Sequence, residues 1–144
     1  MGEDGNPVAL EQVDRYEYTI SFPGSSFPNW TVDEAPPVGR DAGPNPVRTL
    51  AAAIGHCMSS TLYNTLERAH VAVAPIRTTV RATVARNDRG RLRVRNLTVE
   101  LHTRPLREED RASFEHCVEI FDDYCTVSGA VREGIPIDRS VRPD

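Results

Sequence analysis

The sequence predicts an α+β fold on three observations: one long helical period in mid-chain, alternating strand-like runs on both sides of it, and a shorter helical period near the end. In the central stretch, Asn45 to Ala69, the residues Val47, Leu50, Ala51, Ile54, Met58, Thr61, Leu62, Leu66 and Ala69 recur every three or four positions. That spacing lines one face of a helix, and Cys57 falls within the stripe. Strands and helices do not alternate regularly, as they would in a doubly wound parallel sheet.

Taken in order, Met1 to Leu10 is polar and loose at its start, and is expected to be disordered or to pair late. Val13 to Phe22 alternates apolar and polar side chains as one strand, Pro23-Gly24-Ser25-Ser26 turns the chain, and Asn29 to Asp33 returns as the second arm of a hairpin. Trp30 suits either the end of a core or a partner interface. Glu34 to Pro46, rich in proline and glycine, reads as an ordered loop. Asn45 then caps the helix, and Pro46 stands where its missing N–H would have no partner anyway. Charges gather at the helix ends, so the helix is expected to be mostly buried. Gly55 costs roughly 1 kcal/mol of propensity against alanine, which a close backbone approach would offset.

Beyond the helix, Pro75 to Arg86 and Arg91 to Thr103 read as strands joined by a turn at Asn87-Asp88-Arg89-Gly90. The apolar side of the second strand changes face partway, which predicts either a bulge or a strand that crosses between environments. Glu108 to Tyr124 opens with acidic residues, favourable at a helix start, and presents Phe114, Cys117, Val118, Phe121 and Tyr124 as a buried stripe. A brief helix through Ser128 to Arg132 ends at Gly134. Ile135-Pro136-Ile137 suits a short edge strand, and Asp138 to Asp144 should fray.

A chain of 144 residues is expected to fold as a single domain over 1–144, with poorly ordered termini. Its net charge of -4, from 17 basic and 21 acidic residues, offers no general nucleic-acid or anionic-membrane surface. No apolar run reaches the roughly 20 residues of a membrane span, and the N-terminus lacks a basic start with an apolar signal core. The expectation is a cytoplasmic protein, in which Cys57, Cys117 and Cys125 are normally reduced. Glycine-rich phosphate loops and the HExxH zinc spacing are missing, and neither a cofactor nor a metal is expected. His56, Cys57, His116, Cys117 and Cys125 form doubled His-Cys neighbours, but their spacing matches no common zinc module. A free cysteine in a helix is ordinarily a small buried hydrophobe. Cys57 and Cys125 could form a redox couple only if folding brings their sulfurs together.

The segments GPNPVRTLAAAIGHC (residues 43 to 57), Tyr124-Cys125-Thr126-Val127-Ser128 and Gly134-Ile135-Pro136-Ile137 resemble the OsmC/Ohr family of osmotically induced and organic-hydroperoxide-resistance proteins. The likeness extends over roughly residues 30 to 140. It implies an intertwined α+β homodimer with a curved sheet from each subunit and active sites near the subunit interface. It also implies that Cys57 attacks the peroxide and Cys125 resolves the product as a disulfide. Cys117 matches no catalytic position and keeps its core reading. Arg40 lies where the OsmC branch carries the arginine that favours the thiolate. The implied partners are an organic hydroperoxide and a thiol or dithiol reductant, a lipoyl-like dithiol among them. Two positions depart from the pattern: Val47 stands where a glutamate usually orients the arginine, leaving Asp41 or Glu34 as substitutes, and Thr126 replaces a proline. The alternative reading is a homodimer of the same fold that binds a small ligand, or is purely structural, without efficient turnover.

Overall fold

In the computed structural model, which describes residue 5 and residues 7–143, a tight turn at Arg15 and Tyr16 splits the first predicted strand in two. Strand β1 (Ala9–Asp14) pairs antiparallel with β2 (Glu17–Ser21), from Ala9 opposite Ser21 to Asp14 opposite Glu17. Arg15 enters the left-handed region at φ 49°, and the Gln12 side-chain amide donates to its carbonyl at 2.6 Å. The single strand expected over Val13 to Phe22 is therefore corrected. Alternation runs on through the turn, and no Gly or Asn marks it. The expectation for Met1 to Leu10 lies outside the described residues for 1–4 and 6, and at its end Ala9 and Leu10 are paired in β1. On the other edge of β2 lies β3 (Trp30–Val32), with Ile20 opposite Trp30. Ile20 is buried, while Trp30 is exposed and meets the Phe22 ring edge-on at 4.9 Å.

The chain forms two compact units that divide after Leu50, inside the central helix α1 (Pro46–Arg68). The helix starts as the sequence predicts, with Asn45 Oδ1 accepting the Arg48 N–H at 2.9 Å. Ala51, Ile54, Gly55, Met58, Leu62 and Leu66 are buried. Ala52, Ala53, His56, Ser60 and Tyr63 are exposed, as is Ala69 just beyond the helix end. The expected mostly buried helix is thus corrected to one buried along a single face, because among the described residues only that face is covered.

In the second unit α1 lies against a long antiparallel hairpin of β4 (Arg77–Arg86) and β5 (Leu92–His102). A Cβ at Gly55 would stand 2.8 Å from Val80 Cγ2, and the Ser59 and Thr78 hydroxyls meet at 2.6 Å. The close approach anticipated at Gly55 is present. The register passes from Thr83 opposite Asn96 to Val84 opposite Val94, leaving Arg95 as the extra residue of a bulge where the apolar face changes sides. Beyond that bulge Val84, Leu92 and Val94 are exposed.

Helix α2 (Arg111–Ile120) lies between short 3-10 turns at Glu108–Asp110 and Phe121–Tyr124, and α3 (Thr126–Glu133) ends at Gly134, whose φ is 81°. Cys117 and Phe121 are buried, but Val118 and Tyr124 are exposed, so the buried stripe of this segment is narrower than predicted. Ile135-Pro136-Ile137 forms no strand, which corrects the predicted edge strand. Pro136 lacks a donor, and both isoleucines are exposed. Among the described residues no helix is long and apolar enough to cross a membrane.

Candidate active site

Helix α1 presents Cys57 half-exposed, and the start of α3 presents Cys125 at 3 % exposure. Cys125 has extended backbone (φ -76°, ψ 108°) as the N-cap of α3; its carbonyl accepts the Gly129 N–H at 3.0 Å and its own N–H reaches the Asp122 carbonyl at 3.2 Å. This turn carries its sulfur to α1. The Cys125 thiol donates to Cys57 Sγ at 3.2 Å, and the Val127 N–H donates to the same Cys57 sulfur at 3.4 Å. Two cysteines 68 residues apart thus meet at the amide end of α3, where unpaired N–H groups and the helix dipole favour negative charge.

The Cys125 thiol is drawn in opposite directions. Burial pushes its pKa up, but the polar groups around it, first the Ser128 side chain, then Cys57, the Ser128 backbone and the Thr61 side chain, outweigh burial and hold it below the ordinary thiol value. Cys117 has only the first influence: burial raises its pKa, and its sulfur donates to the Thr65 carbonyl at 3.8 Å. A neutral thiol of this kind is a core group.

Next to Cys125 lies a polar chain to which the sequence reading gave no role. Ser128 is 5 % exposed, and its hydroxyl donates to Asp122 Oδ1 at 3.4 Å. Asp122 in turn holds the Arg132 guanidinium through both oxygens, at 3.0 and 2.8 Å. The only signal in the sequence was the place of Ser128 inside the Tyr124 to Ser128 motif.

Arg40 belongs to the first unit, on a loop wound around the buried Asp33 carboxylate. Asp33 accepts the backbone N–H groups of Glu34, Arg40 and Ala42 at 2.8, 3.0 and 3.2 Å. Burial alone would raise the pKa of this carboxyl, but the three N–H donors and the nearby Arg40 charge hold it below its usual value. The Arg40 side chain reaches Glu17 Oε2 at 2.6 Å and Asp14 Oδ2 at 3.3 Å. The hydrogen bond it donates to Glu17, then the charges of Asp14 and Glu17, raise the pKa of its guanidinium. The carboxylates that hold Arg40 therefore come from the β1–β2 turn, not from Asp41 or Glu34.

An apolar hollow of about 280 Å³ opens beside α1, lined by Leu62, Leu101, Thr103, Phe114, Val118 and Phe121. Among the described residues no three His, Cys, Asp or Glu side chains gather as a metal site.

Residues 39–140 match the family model described as OsmC-like protein. Among solved structures, the chain is similar to an OsmC-like protein of Mycoplasma pneumoniae (11% identity, TM-score 0.73, 91% of this chain and 89% of that one). It is also similar to an organic hydroperoxide resistance protein OsmC of Legionella pneumophila (16%, TM-score 0.60, 88% and 89%). A third is a putative organic hydroperoxide resistance protein of Vibrio cholerae, with captopril in one of its active sites (19%, TM-score 0.62, 92% and 88%). No curated protein matches the chain. The low identities carry the α+β fold alone, but the family model spans more than half of the sequence, including both cysteines that meet in the structure, and on that ground the chain belongs to the family of OsmC-like proteins.

Proposed function

We propose that this protein is a cysteine-dependent peroxidase that reduces organic hydroperoxides to alcohols in the reducing cytoplasm. The observation that carries the reading is the 3.2 Å contact between the sulfurs of Cys57 and Cys125. Cys57, the more exposed of the two, attacks the distal peroxide oxygen as a thiolate; the O–O bond breaks, an alcohol leaves and Cys57 becomes a sulfenic acid. Cys125 then condenses with that sulfenic acid, releasing water and forming a disulfide, which a thiol or a lipoyl-like dithiol reduces by exchange. Arg40 is assigned the cationic role that the family resemblance gives it. The apolar hollow beside α1 is the kind of surface that takes an alkyl or aryl tail, at roughly 0.8 kcal/mol for each buried CH₂. Hydrogen peroxide has no such tail.

Cumene hydroperoxide is accordingly expected to oxidise the protein faster than hydrogen peroxide at matched concentration, and Arg40→Ala to slow that oxidation. Thiol loss in a single turnover measures both. Equal or faster oxidation by hydrogen peroxide would overturn the substrate class. Wild-type protein that folds and binds apolar ligands without losing thiols would instead support the non-catalytic alternative.

The active unit is proposed to be a homodimer. Ala52, Ala53 and Tyr63 on α1, and Val84, Leu92 and Val94 on the hairpin, leave apolar surface exposed in the single chain. Among the described residues the two-stranded β4–β5 sheet also has two open edges, which partners commonly cover. Light scattering should give twice the 16.0 kDa chain mass. A monomer throughout the micromolar range would refute the dimer.

A further inference from the structure

One hydroxyl, that of Ser128, stands beside the Asp122–Arg132 pair just after Cys125 in the chain, and it has no part in the proposed chemical steps. Ser128 is buried in the first turn of α3, and a buried hydroxyl that lacks a partner is costly. Its present bond, to Asp122 Oδ1, is long at 3.4 Å, and Asp122 already has two good bonds from Arg132. Ser128 is the third residue of α3 after the N-cap Cys125, the position over which an N-cap side chain sits, and both residues are buried, so the Cys125 sulfur is the other group within the hydroxyl's reach. A serine hydroxyl carries one proton and serves one acceptor at a time.

We infer that Ser128 is a positioning residue for disulfide formation: its proton turns from Asp122 to the Cys125 sulfur once that sulfur is charged, holding the thiolate aimed at Cys57. The inference rests on the proposed peroxidase reading, because the hydroperoxide is what first converts Cys57 to a sulfenic acid. In the step that Ser128 serves, the Cys125 thiolate gives an electron pair to the Cys57 sulfur. The S–S bond forms, the S–O bond breaks, and the departing hydroxide takes a proton to become water. No further oxidant is needed.

Among the described residues, the titratable or charged groups that bear on Cys125 are Cys57 from α1, Asp122 from the preceding turn, and Arg132 from α3, whose charge is felt at Cys125. A hydroxyl that donates to the thiolate favours it, as does the cation, whereas the carboxylate competes for the hydroxyl and repels the thiolate. Removing Ser128 and removing Asp122 must therefore act in opposite directions.

The experiment uses the reduced full chain and one equivalent of cumene hydroperoxide. Dimedone traps the sulfenic acid, and mass spectrometry follows trapped Cys57 and the Cys57–Cys125 disulfide across a pH series. Ser128→Ala is expected to accumulate trapped Cys57, form the disulfide about tenfold more slowly near neutrality, and shift the midpoint of that step about one pH unit upward. Ser128→Thr, which keeps the hydroxyl, should restore wild-type behaviour. Asp122→Ala should move the midpoint downward. An unmoved midpoint in Ser128→Ala, or an upward shift in Asp122→Ala, overturns the role of Ser128. If circular dichroism finds Ser128→Ala unfolded, the direction in Asp122→Ala decides alone. Absence of any trapped or oxidised Cys57 in the wild type is a different failure, that of the peroxidase reading itself.

Discussion

Cys57→Ser is expected to reduce hydroperoxide turnover to the uncatalysed rate, whereas Cys125→Ser should complete one attack and then stop. The difference follows from the two settings. A serine hydroxyl at position 57 is not ionised near neutrality and cannot replace a thiolate as the attacking group, so no sulfenic acid forms. With Cys125→Ser the attacking sulfur remains, but the group 3.2 Å away can no longer close the disulfide, and Cys57 is stranded as a sulfenic acid. One equivalent of alcohol per protein chain, followed by silence in the dithiol-coupled assay, is the expected signature of Cys125→Ser. Dithiol-dependent turnover that survives in Cys57→Ser at the wild-type rate would refute the assignment. Cys117→Ser provides the contrast, because that thiol takes no part in the contact and its loss should leave one full oxidation and one disulfide per chain.

The largest effect on stability is expected at Leu66, which is 0 % exposed on the buried face of α1. Leu66→Ala removes three buried carbon atoms and leaves a cavity that tightly packed neighbours fill only in part. Such truncations cost about 2 to 5 kcal/mol. That is a large share of the roughly 5 to 15 kcal/mol that holds a domain folded. Urea unfolding should therefore move to a much lower midpoint with little change in slope. Ala52→Ser, on the exposed face of the same helix, should change stability by no more than about 0.5 kcal/mol in the single chain. A loss below about 1 kcal/mol in Leu66→Ala would mean that position 66 is not part of a packed core.

Features set by neighbours along the chain were legible in the sequence. The start of α1 followed from Asn45 and Pro46, its period from Ile54, Met58, Leu62 and Leu66, and the bulge at Arg95 from the changed side of the apolar residues in β5. Each is a matter of local capping or spacing. The β1–β2 turn was hidden because Arg15 adopts a left-handed conformation without the usual Gly or Asn. Pairing across the chain was legible only in part. The two cysteine segments pointed to one another through family resemblance, and their contact was visible only after folding brought α1 and α3 together. Asp33, Asp122 and Ser128 escaped because nothing in a linear sequence marks a carboxylate that will gather three amides, or a hydroxyl that will sit between a carboxylate and a sulfur.

Asp33 gives the loop that carries Arg40 a fixed base and a releasable arm. The base is locked twice: the carboxylate gathers three amides, and Gly39 and Gly43 press so close to the backbone oxygens of Glu34 and Thr31 that neither has room for a Cβ. The guanidinium is held differently: it is itself largely exposed, as is Asp14, while Glu17 is mostly covered, and ion pairs open to water on one side add little stability. Arg40 can therefore exchange its acidic partners for another anion without any change in its own backbone, in the manner of a short tether fixed at one end.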